Sequence, residues 1–67
     1  MTLKEARAYM LSYPGTKFTC QVFHEEWIMY DDKKNRFVFE DGYEPDLFWW
    51  GKALAWGYNW WILDEKR

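Results

Sequence analysis

The chain has one cysteine and one histidine in 67 residues. Cys20 alone excludes an internal disulfide, and His24 alone leaves no conventional zinc set. Four glycines are scattered with no Gly-x-Gly pair, so a glycine-rich phosphate loop is excluded. No apolar run approaches the ~20 residues of a membrane span, and Met1-Thr2-Leu3-Lys4 carries no apolar signal core. Charge bias is also missing. Nine Lys and Arg stand against eleven Asp and Glu, for a net charge of −2. That is no electrostatic footprint for nucleic acid, and too little acid for a DNA mimic. A lone thiol suits a reducing compartment, so a soluble protein of the cytoplasm is expected.

What the chain has in abundance is aromatic side chains. Six Trp, five Tyr and five Phe make up 24% of it. Tryptophans crowd Leu47–Leu63, as Trp49, Trp50, Trp56, Trp60 and Trp61. A single domain over residues 1–67 is expected, and a domain this small buries only roughly 60% of its unfolded surface. With no disulfide or metal, aromatic packing and self-association are the reinforcements left to it.

Thr2-Leu3-Lys4-Glu5 has the capping-box form and predicts a helix over Leu3–Ser12. Leu3, Ala6, Met10 and Leu11 would form its apolar face. Pro14-Gly15 ends it. Lys17–Phe23 alternates as a half-buried strand, with Phe18, Cys20 and Val22 on one side. His24-Glu25-Glu26 is a polar break. Trp27–Tyr30 and Arg36–Glu40 are the arms of a hairpin around Asp31–Asn35, and Asp41-Gly42 follows as a turn. Asp46 can cap a second helix over Leu47–Ala55. Gly57-Tyr58-Asn59 is a turn, Trp60–Leu63 a last strand and Asp64–Arg67 a charged tail. The order α-β-β-β-α-β predicts an α+β domain. Its small antiparallel sheet of three to four strands carries an N-terminal helix and a second short helix.

Leu3-Lys4-Glu5-Ala6, Pro14-Gly15-Thr16-Lys17-Phe18, Trp27-Ile28-Met29-Tyr30, Glu40-Asp41-Gly42 and Asn59-Trp60-Trp61-Ile62 together form a familiar pattern. It resembles that of small bacteriophage proteins, the best understood of which are the viral Thoeris anti-defence proteins that sequester a nucleotide signal. The present chain is shorter, with only Asp31–Asn35 where those proteins carry a longer central insertion. The resemblance implies a phage origin and a non-enzymatic role against a host system. It transfers no site residue.

No catalytic set assembles. A zincin-type site would need a second histidine where Ile28 stands. Cys20 and His24 on one strand would lie ~13 Å apart. Glu25-Glu26, Asp31-Asp32 and Glu40-Asp41 are adjacent pairs, which a strand points to opposite faces. Neither metal nor cofactor is expected, and no enzymatic activity.

The aromatic cluster carries the functional expectation. On the second helix, Leu47, Trp50 and Leu54 share one stripe and would be its buried side. Trp49 and Trp56 lie off that stripe, and Tyr58 lies in the turn beyond it. These three are the expected partner-binding residues, whereas Trp50, Trp60 and Ile62 are expected in the core. Trp60 and Ile62 would face one side of the last strand, Trp61 and Leu63 the other, so both faces of that strand need cover. A homodimer would supply some of it. The first functional expectation is thus a phage-type counter-defence protein that docks an aromatic surface on a host protein and inhibits it. The alternative is a sponge that stacks a nucleotide-derived signal on aromatic rings at a subunit interface, with Lys17, Arg36 and Lys52 as candidate phosphate ligands.

Overall fold

The computed structural model describes residues 1–24 and 26–63. Glu25 and the tail over 64–67 lie outside the described residues. Six elements follow one another as α1 (Leu3–Ser12), β1 (Phe18–Cys20), β2 (Ile28–Asp31), β3 (Arg36–Phe39), α2 (Leu47–Ala55) and β4 (Trp60–Ile62). The strands form one antiparallel sheet in the order β3-β2-β1-β4. This is the α+β architecture expected from the sequence.

Local chemistry explains each boundary. The Glu5 N–H donates to Thr2 Oγ1 at 3.1 Å, and the Thr2 N–H donates to Glu5 Oε1 at 2.9 Å. That reciprocal box satisfies two of the orphan donors at the start of α1. The β2–β3 hairpin turns on Asp31, whose Oδ1 accepts the Lys33 N–H at 3.0 Å. Asn35 closes that turn with φ 58°, a left-handed conformation that asparagine tolerates. The Tyr30 hydroxyl donates to Asn35 Oδ1 at 2.9 Å and holds the turn against its own strand.

Both helices lie on one face of the sheet. The register pairs Phe18 with Ile28 and Ile62, Cys20 with Trp60, and Ile28 with Phe39. Residues paired across an antiparallel ladder share a face, so these side chains line one side together. Leu3, Ala6 and Met10 of α1 and Ala53 of α2 bury themselves against that side, around Phe18, Cys20, Ile28, Phe37 and Trp60. The opposite face carries no helix among the described residues. There the register sets Thr19 beside Trp61 and Met29 beside Val38, and the Lys17 ammonium sits 4.8 Å above the Trp27 ring. Trp61 remains 42% exposed on this face.

The last strand is an edge strand. Its outer side is partly closed by Met1, whose carbonyl accepts the Trp60 N–H at 2.7 Å and whose amino group donates to the Trp60 carbonyl at 3.0 Å. Of the expected core residues in this region, Trp60 is buried, while Trp50 and Ile62 are half-buried against the core.

Two expectations about the core need correction. Leu11 is exposed, because the half-buried Tyr9 takes that flank of α1 and sets its ring edge-on to Phe18 at 5.6 Å. Val22 is exposed as well. The strand stops at Cys20, and the Phe23 N–H folds back to the Cys20 carbonyl at 3.0 Å. The reversal swings Phe23 inward in place of Val22, where it meets Trp60 edge-on at 5.3 Å and Phe39 at 6.4 Å.

Candidate protein-binding surface

The second helix begins where Asp46 Oδ1 accepts the Trp49 N–H at 2.8 Å, an N-cap that offsets the missing backbone acceptor there. It ends at Ala55 with Trp56 as its C-cap, and Gly57 beyond, with φ 73°, turns the chain out of the helical region. In between, Leu-Phe-Trp-Trp-Gly-Lys-Ala-Leu-Ala has one charged residue, Lys52. The helix is therefore apolar nearly all round, and sequence periodicity selects no unique buried side.

The structure turns the indoles inward and the leucines outward. Ala53 is buried at 2% exposure and lets α2 approach closely. Around it, Trp50 packs edge-on to Phe37 at 5.1 Å, Trp49 to Phe39 at 5.0 Å, and the two indoles to each other at 5.1 Å. Trp56 continues the chain of rings at 5.9 Å from Trp49, and Tyr58 follows at 5.3 Å from Trp56. Edge-to-face pairs of this kind contribute about 0.5–1.5 kcal/mol each beyond area burial. An indole also buries more apolar surface than a leucine. Both effects favour Trp49, Trp50 and Trp56 over Leu47 and Leu54 against the sheet. The Arg7 guanidinium of α1 caps this array, 5.2 Å from the Phe37 ring and 5.0 Å from the Trp50 ring.

The stripe expected to be buried is consequently divided. Leu47 is 88% exposed and Leu54 51%, and only Trp50 of that stripe packs inward. Phe48 is 75% exposed, with the Lys52 ammonium 5.3 Å over its ring. Gly51 lies between Leu47 and Leu54 on the outer side, with open space where a side chain would project. Trp49, Trp56 and Tyr58, the residues expected to project outward, are half-buried and packed against the core. The large exposed apolar side chains of this helix are instead Leu47, Phe48 and Leu54. Sequence reasoning missed them, although an all-round apolar helix on a one-sided sheet was the available signal.

Alongside this face runs a groove of about 820 Å3 between α1 and α2, floored by Leu3, Ala53 and Trp50 and walled by Ala8, Leu11 and Leu54. Lys4 and Arg7 stand on its α1 wall, and no carboxylate among the described residues lines it. A second hollow of about 670 Å3 shares Arg7 with this groove and includes Arg36, Glu44 and Asp46.

Lys17, Arg36 and Lys52 do not converge. Lys17 lies over Trp27 on the helix-free sheet face, and Lys52 over Phe48 on the outside of α2. Arg36 ion-pairs with Glu44 at 3.8 Å. Among the described residues, His, Cys, Asp and Glu form no group able to hold a metal ion. Cys20 is buried, and that burial pushes its thiol above the ordinary 9.0, against a weaker pull from the backbone groups of Val22 and Phe23. No helix among the described residues is long and apolar enough to cross a membrane.

Comparison with family models, with curated proteins and with solved structures returned no match.

Proposed function

We propose that this chain is a non-enzymatic protein-binding module. It inhibits a host protein by docking the outer face of α2 onto it. The observation that carries this reading is the exposure of Leu47 and Phe48, 88% and 75%, on a helix with a single charge. Contiguous exposed apolar surface on a small domain marks an interaction site, and α2 presents it from a rigid element. The phage-type counter-defence role implied by the sequence pattern suits such a module, since a flat apolar face blocks a partner without a reaction of its own. The nucleotide-sponge reading has less support, because Lys17, Arg36 and Lys52 sit on separate elements with separate neighbours. Self-association belongs to the same proposal: Trp61 on the helix-free sheet face gives a second copy an aromatic contact.

The test is capture of the host target on immobilised protein, compared with a Leu47→Ser/Phe48→Ser variant of unchanged circular dichroism. Loss of capture is the expected result. Equal capture by the two proteins removes α2 from the interface. Light scattering over a concentration series tests the dimer, which a monomer at millimolar concentration would refute.

A further inference from the structure

The groove between α1 and α2 has a composition that selects its occupant. Its floor and walls are apolar, and among the described residues its charged lining residues are Lys4 and Arg7. That is unexpected in a chain of net charge −2. Neither cation belongs to an ion pair among the described residues, where the ion pair is Arg36–Glu44. The Arg7 guanidinium carbon lies 5.2 and 5.0 Å from the centres of the Phe37 and Trp50 rings, which holds the cation at the groove's edge. A guanidinium held by aromatic faces keeps N–H donors available for a carboxylate.

Shape narrows the choice further. The α1 wall is 10 residues long and the α2 wall 9, so the groove runs for roughly 15 Å at 1.5 Å per residue. An apolar trough between two helices accepts a third helix, which reads as anchors at i, i+3 or i+4 and i+7. About 15 Å accommodates that many anchors.

We infer that the α1–α2 groove takes an amphipathic helix of the partner protein whose apolar stripe is flanked by Asp or Glu. This deepens the proposed function and rests on it: the apolar anchors fill the trough beside Leu54 and Leu11, while the acidic flank meets Lys4 and Arg7. Opposite charge at the rim sets the partner's orientation and speeds encounter.

Fluorescein-labelled 14-residue peptides test it by anisotropy on the whole protein. One carries a leucine stripe with a glutamate flank, a second the same stripe with a lysine flank, and a third the composition of the first with the stripe broken. The glutamate peptide is expected to bind at least tenfold more tightly than either control, and to weaken as salt rises from 50 to 500 mM because rim charges are screened. Lys4→Glu is expected to weaken the glutamate peptide roughly three- to tenfold and Arg7→Glu likewise, as for charge pairs at a solvated rim. Lys4 sits on the exposed first turn of α1, so its variant remains informative if Arg7→Glu disturbs the rings beneath it. Leu11→Glu should abolish binding. Equal affinity for the glutamate and lysine peptides overturns the inference, as does binding of the broken-stripe peptide or of none. Binding of phosphatidylserine vesicles in place of peptide would assign the groove to a membrane and overturn it too. So would a dimer that Leu54→Glu dissociates while no peptide binds. If host-target capture still depends on Leu47 and Phe48 when the peptides fail, the docking face stands and the acidic helix alone is lost.

Discussion

Replacing Trp60 tests how this small domain holds together. Its side chain is 1% exposed, paired across the sheet with Cys20 and met edge-on by Phe23 at 5.3 Å. Removing a buried Trp to Ala costs about 3–5 kcal/mol, from lost burial and the cavity left behind. A chain of this length has a total stability of about 3–10 kcal/mol. Trp60→Ala is therefore expected to be largely unfolded or close to it. Trp60→Phe behaves differently. Losing the pyrrole half of the indole costs about 1–1.5 kcal/mol of apolar burial. The Trp60 Nε1 donor, however, is buried with no hydrogen-bond partner among the described residues. Eliminating an unsatisfied buried donor recovers about 1 kcal/mol or more. The two changes nearly cancel, so Trp60→Phe should fall within about 1 kcal/mol of wild type. Urea denaturation followed by far-ultraviolet circular dichroism measures both, since fluorescence would mix the signals of the other tryptophans. A loss under 1 kcal/mol in Trp60→Ala would refute the core assignment. A loss in Trp60→Phe as large as in Trp60→Ala would refute the orphaned donor.

Thr2→Ala combined with Glu5→Ala removes both bonds of the capping box and is expected to cost ~1–2 kcal/mol, read from the urea midpoint at constant slope. Gly57→Ala forces a Cβ into the left-handed region at φ 73° and should cost about 1–2 kcal/mol by the same assay. Cys20 is expected to react slowly with a disulfide reagent in the folded protein at pH 8 and at full rate in urea. Its raised folded pKa also sets a sign. Above pH 9 the unfolded chain loses the thiol proton before the folded one does, so the proton count is higher in the folded state and stability falls as pH climbs. Urea midpoints at pH 8 and pH 10 should drop more in wild type than in Cys20→Ala.

The elements were legible where local chemistry is decisive. The Thr2/Glu5 box and Pro14-Gly15 framed α1, and Asp46 and the Gly57-Tyr58-Asn59 turn framed α2, so the expected Leu3–Ser12 and Leu47–Ala55 are the bounds the structure has. The Asp31–Asn35 turn was equally plain from its polar run. What the sequence did not disclose was orientation. In α2 every side but Lys52 is apolar, so a leucine stripe and an indole stripe were equally well formed on paper. Edge-to-face packing with Phe37 and Phe39, residues distant in the chain, decided between them. Val22 was misplaced for a related reason: alternation continues past Cys20 in the sequence, but the Phe23-to-Cys20 reversal ends the strand. The cation at the groove's edge was hidden too, since nothing in α1 announces that Arg7 will lie over Phe37 and Trp50.

The most direct test of the docking face compares two single variants for target affinity and stability together. Phe48→Ala removes an exposed ring, and Trp49→Ala, its neighbour in the chain, removes one packed on Phe39. Isothermal titration against the captured host target, with urea denaturation of each variant, separates binding from folding. The expected result is that Phe48→Ala weakens the target by about 2 kcal/mol, as an interface hot spot does, with stability unchanged within about 0.5 kcal/mol. Trp49→Ala should instead lose roughly 2–4 kcal/mol of stability, the lower range for a half-buried indole. Unaltered affinity in Phe48→Ala, with binding lost in a Trp49→Ala protein that still folds as stably as wild type, would contradict it and return the interface to the indoles.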